Sequence, residues 1–424
     1  DLRMNKIDKI FDSVSSRTLF KNKTVLQSNY SPEDIPYRDK QIEQVASILA
    51  PALIGQRTSN LFIYGNTGTG KTLSVQFVRN ELLKRAKNSE NGLKIEYLNC
   101  KLRKIADTEY RILAELINKL GGAVPSTGLP TDQVYNRFLS LLEASEEKLS
   151  IIILDEIDQA VKKISDNFLY NLTRLNSELS KTQIIIVGIS NDLRFLDSLD
   201  PRVRSSLSEE EIVFPPYNAL QLQEILRKRS EEAFKKGSVA SSAISKCAAF
   251  AAREHGDARR ALDLLRVAGE LAEREGTDKI TVEHIDKANH KIERDKILDI
   301  IESEPKQFQA VLYTIINLEE EGLEGGQKGL FGEGGSKKGS SKPSPKVFTG
   351  DVYNKYEKVC KKMGMEVLTQ RRVGDIIAEF DMLGIINATV VSKGRYGRTK
   401  EIKLAIPSNI LLKSKEILKD SLGI

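Results

Sequence analysis

The segment LFIYGNTGTGKT, residues 61–72, constrains the fold of this chain more than any other. Four residues suited to a buried strand lead into a turn that matches the phosphate-binding P-loop pattern G-x-x-x-x-G-K-[ST] from Gly65 to Thr72. Glycine permits positive φ, so successive N–H groups converge on phosphate oxygens ahead of a helix N-terminus. An ordinary glycine-rich connection is the alternative, and the full match behind a strand favours a nucleotide site.

The side chains of the P-loop have separate expected roles. Lys71 is predicted to reach the β- and γ-phosphates, and the Thr72 hydroxyl is predicted to bind Mg²⁺. The predicted nucleotide-binding residues of the loop are Asn66, Thr67, Gly68, Thr69, Gly70, Lys71 and Thr72.

Strand-like segments follow the P-loop and alternate with amphipathic helices, which is typical of a parallel sheet covered on both faces. They are LKIEYLN (93–99), LSIIILDE (149–156), TQIIIVGIS (182–190) and EEIVF (210–214). After Tyr217 the patterns are helical. We therefore predict an N-terminal arm and α/β nucleotide-binding domain in residues 1–217, an all-helical domain in 218–290 and a third domain in 291–424.

Composition limits the class of protein. A chain of 424 residues is long enough for two or three cores, and no stretch approaches eighteen apolar residues without a charge, so we expect no membrane span. The three cysteines lie far apart, which predicts reduced packing residues in a cytoplasmic protein. The net charge of +6 is compatible with nucleic-acid binding, so the location of the basic residues matters more than their sum.

Residues 321–346 are rich in Gly, Ser and Lys and lack the apolar side chains needed for burial. Apolar helical patterns flank this segment on both sides. We therefore predict a flexible loop inside the third domain, with a linker between separate domains as the alternative.

Polar residues end two of the predicted strands. Asp155 and Glu156 follow the buried run IIIL, at the edge where α/β sheets bind ligands. We expect Asp155 to orient Mg²⁺ and its waters, and Glu156 to polarise the water that attacks the γ-phosphate. The alternative is that these two acids merely end a strand, and the presence of a P-loop makes that interpretation less favoured. Asn191 ends the next strand and is suited to position that water or to sense the γ-phosphate.

Arginine suits phosphate because its planar fork is always charged. The turn LDPRVRSSL (199–207) contains Arg202 and Arg204, and the helical segment GDARRALDLL (256–265) contains Arg259 and Arg260. Surface arginines are common, so neither pair identifies a site by itself.

The order of these elements resembles an AAA+ ATPase with a helical lid. In addition, FKNKTVLQSNYSPEDIPYRDKQI (20–42), LDPRVRSSL, FPPY (214–217) and GDARRALDLLR are similar to the archaeal origin-recognition proteins. That family is related to the eukaryotic origin recognition complex and to the helicase-loading cell-division-control protein. The resemblance covers nearly the whole chain and implies ATP or ADP with Mg²⁺ as the ligands.

The resemblance also implies roles for single residues. Asn191 matches sensor 1 and Arg259 matches the sensor 2 arginine. The arginine finger, which enters the nucleotide site of a neighbouring subunit, is best matched by Arg202, with Arg204 as second choice. Some relatives carry an arginine where this chain has Ser206, so the identity of the arginine finger is left open.

The base would lie against a second group of residues. The resemblance places Tyr30, Pro36 and Arg38 beside the adenine. Tyr217, the last residue of FPPY, is counted with the nucleotide-binding residues as well.

The third domain contains a helix followed by a basic hairpin, which indicates a winged helix. The helical face comprises Val373, Ile376, Ile377, Phe380 and Leu383, with Thr369 as the expected N-cap. We predict that the first turn of the helix and the hairpin bind DNA in the grooves and along the phosphates, while a protein-contact surface is the alternative. The predicted DNA-binding residues are Gln370, Arg371, Arg372, Lys393, Arg395, Tyr396 and Arg398.

A second DNA contact is predicted in DNFLYNLTRLN, residues 166–176, where Tyr170 and Arg174 are the candidates. The segment matches in position an extra helix by which the family's ATPase domain touches DNA. Its apolar residues also fit simple core spacing. Two separated contacts would allow the protein to deform a duplex.

These features predict an ATP-binding replication initiator with slow hydrolysis, since a switch needs less turnover than a motor. Its expected partners are double-stranded origin DNA, the replicative helicase and paralogous initiators, in the cytoplasm at the nucleoid. Three rivals are a regulatory P-loop NTPase whose winged helix binds protein, a helicase or clamp-loader motor, and a transcription regulator.

Overall fold

The computed structural model describes residues 18–28, 30–32, 34–87, 92–101, 108–125, 128–207, 209–328, 346–392 and 398–424. The chain packs into two compact units, Asp1–Ala288 and Asn289–Ile424. Each unit is described by itself below.

The first unit alternates strands with helices and then becomes all-helical. Its described elements are α1 (Asp39–Leu49), β1 (Asn60–Tyr64), α2 (Lys71–Ala86), β2 (Leu93–Asn99), α3 (Glu109–Lys119), α4 (Thr131–Glu143), β3 (Leu149–Asp155), α5 (Ile157–Lys163), α6 (Asn167–Glu178), β4 (Gln183–Ser190), α7 (Pro201–Leu207), β5 (Glu209–Val213), α8 (Ala219–Ala233), α9 (Ser241–Arg253) and α10 (Ala258–Glu275). Helix α11 (Val282–Ser303) contains the boundary between the units.

The five strands form one parallel sheet in the order β2-β3-β4-β1-β5. Strands β1 and β3 are buried along their whole length because helices cover both faces of the sheet. This confirms the predicted α/β fold. The register pairs Tyr64 with Ser190 and Asp155 with Ile189, so the carboxyl ends of β1, β3 and β4 meet at one edge.

Alternate residues of β1 face two different cores, as the twofold period of a strand requires. Phe62 and Tyr64 pack into the apolar cluster that includes residues of α3, α4 and α6. Leu61 and Ile63 pack into the cluster on the opposite face, which includes residues of α1 and α2. Packing on both faces of the sheet therefore anchors β1, the strand that leads into the P-loop.

The described part of the N-terminal arm packs on the all-helical part of the first unit, whose helices α8, α9 and α10 are called the lid below. The Phe20 ring lies 4.6 Å from the Phe234 ring, measured between centroids. The Lys21 amide donates to the Ala233 carbonyl over 2.7 Å. These contacts fasten the arm to the end of α8.

The second unit is a winged helix, as predicted. Its described elements after α11 are α12 (Lys306–Lys328), β6 (Val347–Phe348), α13 (Thr349–Met363), α14 (Gln370–Met382), β7 (Ile386–Ser392), β8 (Arg398–Leu404) and α15 (Ser408–Leu422). The strands form an antiparallel sheet in the order β6-β8-β7. One apolar core includes residues of α12, α13, α14 and the hairpin, so the segments on both sides of residues 329–345 share it.

Two expectations about this unit need correction. Leu383 does not belong to the buried face of α14: the helix ends at Met382, and Leu383 is 45% exposed. The predicted loop 321–346 also begins too early, since α12 continues to Lys328. Glu321, the first residue of that extension, forms an ion pair with Lys355. The remaining loop residues 329–345 lie outside the described residues.

Within the described ranges, no helix combines the length and apolar character that crossing a membrane requires.

Candidate functional site

A cleft of about 1100 Å³ opens at the carboxyl edge of the parallel sheet, in the first unit. This volume is close to the upper end of the range for ligand sites, roughly 300–1,000 Å³. Most of the predicted nucleotide-site residues line it. They are Tyr30, Pro36, Gly68, Thr69, Gly70, Lys71, Thr72, Asp155, Glu156, Asn191, Tyr217 and Arg259.

The P-loop backbone has the conformation that its glycines permit. Gly68 has φ 71° and Gly70 has φ 88°, both in the left-handed region, and Gly70 immediately precedes α2. The loop therefore delivers the chain to the N-terminus of α2, where backbone N–H groups and the helix dipole attract anions.

Lys71 is held by three acceptors at the base of the loop. Its Nζ donates to the carbonyl oxygens of Gly65 (2.7 Å) and Asn66 (2.8 Å) and to Asn191 Oδ1 (2.8 Å). Burial lowers the Lys71 pKa to about 8. A phosphate near this ammonium would supply the counter-charge that burial makes favourable.

The Asp155 carboxylate is the hub of the predicted metal site. Its Oδ2 accepts hydrogen bonds from Thr72 Oγ1 over 2.9 Å and from the Tyr97 hydroxyl over 2.7 Å. Its Oδ1 accepts from the Glu156 amide over 2.9 Å. A hydroxyl and a carboxylate are hard oxygen donors of the type that Mg²⁺ prefers, and both residues line the cleft. Thr72 and Asp155 therefore fit the predicted ion.

Glu156 and Asn191 flank this hub. Glu156 has φ 55°, a left-handed conformation that is unusual outside glycine and is often found at functional sites. Its carboxylate lies 3.6 Å from Lys101 Nζ. The Asn191 amide oxygen faces Lys71, and the Asn191 backbone N–H donates to Asp158 Oδ1 over 3.3 Å.

Arg38, Asn66 and Thr67 are absent from the described lining of the cleft. The Arg38 guanidinium is instead buried, where it donates to the carbonyls of Thr69 (2.7 Å) and Pro215 (2.6 Å). It also lies 3.9 Å from the centroid of the Tyr217 ring. Burial lowers the Arg38 pKa from its ordinary value. Arg38 thus joins the P-loop to the segment that connects β5 with α8.

The lid meets the P-loop directly. Asp257 caps α10 by accepting from the amides of Arg259 (2.8 Å) and Arg260 (3.2 Å). The Ala258 amide donates to the Gly68 carbonyl over 3.2 Å, and a methyl group added to Gly68 would come within 1.7 Å of Asp257. The start of α10 therefore brings Arg259 to the cleft.

Tyr30, which is predicted to lie beside the adenine, contacts residues that the sequence did not single out. The Arg229 guanidinium lies 4.7 Å from the centroid of the Tyr30 ring, and the Tyr30 hydroxyl donates to Glu232 over 3.3 Å. Tyr97, Asp158 and Asp257 were missed as well. Only Asp257 had a signal in the sequence, because Asp is a favoured N-cap before a helical pattern.

The candidate finger residues lie on α7, away from the described lining of the cleft. The Arg202 side chain is 86% exposed and pairs with Asp200 over 3.1 Å. Arg204 pairs with Asp197 over 2.8 Å. The exposure of Arg202 leaves it accessible to a neighbouring subunit.

In the second unit, Gln370, Arg371 and Arg372 are exposed in the first turn of α14. The Thr369 hydroxyl caps this turn by accepting from the Arg372 amide over 3.3 Å. Lys393, Arg395 and Tyr396, predicted for the wing, lie outside the described residues, and Arg398 begins β8.

Tyr170 and Arg174 lie one turn apart on α6. Arg174 donates to the Tyr170 hydroxyl over 3.1 Å, and Arg174 is exposed. The apolar residues of the same helix are buried in the core: Phe168, Leu169, Leu172 and Leu175. The two candidates are therefore paired with each other beside a face that serves packing.

Comparison with known families gives three matches along the chain. Residues 54–196 match an AAA domain, residues 223–290 match the Cdc6 AAA+ ATPase-type lid domain, and residues 336–414 match the CDC6 C-terminal winged helix domain.

Relatives match nearly the whole chain. The ORC1-type DNA replication protein of Pyrococcus furiosus is 49% identical over 408 residues, which cover 95% of this chain and 91% of the relative. ORC1-type DNA replication protein 1 of Archaeoglobus fulgidus is 48% identical, covering 96% and 93%. The structure of the Aeropyrum pernix ORC1 protein in complex with DNA has a TM-score of 0.79 and 40% identity, and covers 95% of this chain and 97% of that one.

Proposed function

The chain belongs to the archaeal ORC1-type DNA replication protein family and is an ORC1/Cdc6-type replication initiator; we propose that it binds origin duplex DNA under the control of bound ATP or ADP and assists recruitment of the replicative helicase. The proposed nucleotide binding is supported by one observation above all. Four of the predicted residues converge in one cleft: Lys71, Thr72, Asp155 and Asn191.

Each of these residues has a proposed task with ATP. Lys71 binds the β- and γ-phosphates, and the amides of residues 68–72 surround the phosphate chain. Thr72 and Asp155 hold Mg²⁺, which when bound neutralises phosphate charge. Asn191 and Arg259 sense the γ-phosphate, so the lid that begins with Arg259 responds to the state of the nucleotide.

Hydrolysis is proposed to be slow. Glu156 is the candidate general base because it lines the cleft next to Asp155. Arg202 and Arg204 are bound to Asp200 and Asp197 on the surface and do not line the cleft within the described residues. Completion of the site would thus require a second subunit, and an isolated protein would hold ATP as a switch.

DNA binding is proposed for the winged helix. Gln370, Arg371 and Arg372 are exposed at the N-terminus of α14, which is the part of a recognition helix that meets base edges and phosphates. The wing residues Lys393, Arg395, Tyr396 and Arg398 are proposed to follow the backbone or the minor groove. Support comes from the relative of known structure, whose ORC1 chain is in complex with DNA.

The further proposed partners are paralogous initiators and the replicative helicase, in the cytoplasm at the nucleoid. Tyr170 and Arg174 remain proposed as a second DNA contact from the ATPase domain.

Genome-wide occupancy of the tagged protein tests the function in cells. Enrichment at the regions where replication starts, lost in the Lys71→Ala variant or in the Arg371→Ala, Arg372→Ala double variant, is the expected result. Enrichment at promoters away from those regions would instead make the protein a transcription regulator.

A further inference from the structure

The hydroxyl of Tyr97 supports the Asp155 carboxylate from the neighbouring strand. Tyr97 is the fifth residue of β2 and pairs in register with Ile153 of β3, two positions before Asp155. From there its hydroxyl donates to Asp155 Oδ2 over 2.7 Å. Two adjacent parallel strands thus place a phenol against a carboxylate at the sheet edge.

Each oxygen of the Asp155 carboxylate accepts at least one hydrogen bond. Oδ1 accepts from the Glu156 amide and Oδ2 from Thr72 Oγ1, each over 2.9 Å, in addition to the phenol. Thr72, Asp155 and Glu156 line the cleft, whereas Tyr97 is absent from its described lining. The phenol therefore approaches Asp155 from the protein side and is no candidate ligand itself.

We propose that Tyr97 is a positioning residue that holds the Asp155 carboxylate in the orientation required for Mg²⁺. This inference rests on the proposed nucleotide site. The Glu156 amide binds Oδ1, and of the two donors to Oδ2 the Thr72 hydroxyl is itself a proposed Mg²⁺ ligand, so Tyr97 is the donor to Oδ2 that is not also a proposed ligand of the ion. Residues that orient metal ligands contribute to metal affinity.

Tyr64 provides a matched control. It lies at the end of β1, in the same sheet, and its hydroxyl is buried without a hydrogen-bond partner in the described structure. Tyr64→Phe and Tyr97→Phe remove the same atom from the same residue type. Only the second substitution removes a hydrogen bond to Asp155.

The test is a Mg²⁺ titration of binding of a fluorescent ATP analogue, with a parallel measurement in EDTA. For Tyr97→Phe we expect the Mg²⁺ concentration at half-saturation to rise about tenfold, while the affinity in EDTA stays at the wild-type value. Tyr64→Phe should match wild type in both measurements. Asp155→Asn should shift the Mg²⁺ titration at least as far as Tyr97→Phe.

Two results would overturn the inference. One is a wild-type Mg²⁺ titration for Tyr97→Phe when Asp155→Asn is shifted. The other is an equal loss of affinity with Mg²⁺ and in EDTA, which would show that the phenol supports the fold and not the ion. Failure of the wild-type protein to bind the analogue would have a different meaning, because it would contradict the proposed nucleotide site itself.

Discussion

Arg38 and Thr69 are joined by a buried hydrogen bond in which Arg38 Nε donates to the Thr69 carbonyl over 2.7 Å. The residue that the family resemblance places beside the adenine is therefore bonded to the backbone of the P-loop. Its second bond, to the Pro215 carbonyl over 2.6 Å, ties the loop to the segment that enters the lid.

Arg38→Met should weaken nucleotide binding although Arg38 does not line the described part of the cleft. The substitution removes the donor to the buried Thr69 carbonyl, at a cost of about 1–3 kcal/mol, and the donor to the Pro215 carbonyl, which water can replace because Pro215 is exposed. We expect a lower unfolding midpoint in urea and at least a tenfold loss in ATP affinity by calorimetry. Arg85→Met, at an exposed Arg85–Glu81 pair, is the control and should change neither.

Gly68→Ala should separate backbone strain from the contact with the lid. Gly68 and Gly237 both have positive φ, 71° and 82°, so alanine costs roughly 1 kcal/mol at either position. An added methyl meets Asp257 at Gly68 and no atom within 4 Å at Gly237. Urea unfolding and ATP titration should therefore show a larger stability loss and weaker binding for Gly68→Ala alone. Equal effects of the two substitutions would argue against the tight contact between loop and lid.

Lys71 should make the nucleotide-free protein more stable as pH rises from about 8 toward 10.5, the range between its folded pKa and its ordinary value. The folded state binds fewer protons than the unfolded chain in this range, so the free energy of unfolding increases with pH. The gain is up to about 3 kcal/mol. The contribution of Lys71 is the difference between wild type and Lys71→Met in the free energy of unfolding, measured with urea at pH 7.5 and at pH 10. The two proteins share all other titrating groups, so their effects cancel in this difference. A difference that is constant with pH would show that Lys71 is not buried as a charged group.

The double variant Arg371→Ala, Arg372→Ala should bind duplex DNA with a weaker dependence on salt. Each phosphate contact contributes close to one unit to the slope of log K against log salt concentration, so the slope should fall by about two. Arg85→Ala removes a charge from the first unit and is the control, for which the slope should stay unchanged. A wild-type slope in the double variant would exclude the first turn of α14 from the DNA contact.

Much of the fold was predictable because its signals are local. The apolar strands, the glycines of the P-loop and the apolar period of α14 are each contained in a short stretch of sequence. The end of α14 was not, because Leu383 has the spacing of the buried face but follows the last helical turn.

The supporting residues of the site could not be predicted in the same way. Tyr97 and Asp155 are 58 positions apart, and Ser190 and Asp158, which share a hydrogen bond, are 32 apart. These contacts depend on the order of strands in the sheet and on their register, which no single segment encodes. The bonds from Arg38 to the Thr69 and Pro215 carbonyls were missed for a related reason, because the sequence does not show which backbone groups a side chain reaches across 31 and 177 positions.

The most direct test is fluorescence anisotropy at physiological salt, with duplexes from the replication-start region of the protein's own genome and scrambled duplexes of equal composition. The Arg395→Ala, Arg398→Ala double variant is measured alongside. Tight binding that prefers the origin sequence and weakens in the variant is the predicted result. Binding that is equally weak for all duplexes and unaffected by the variant would contradict the account and favour a winged helix that binds protein.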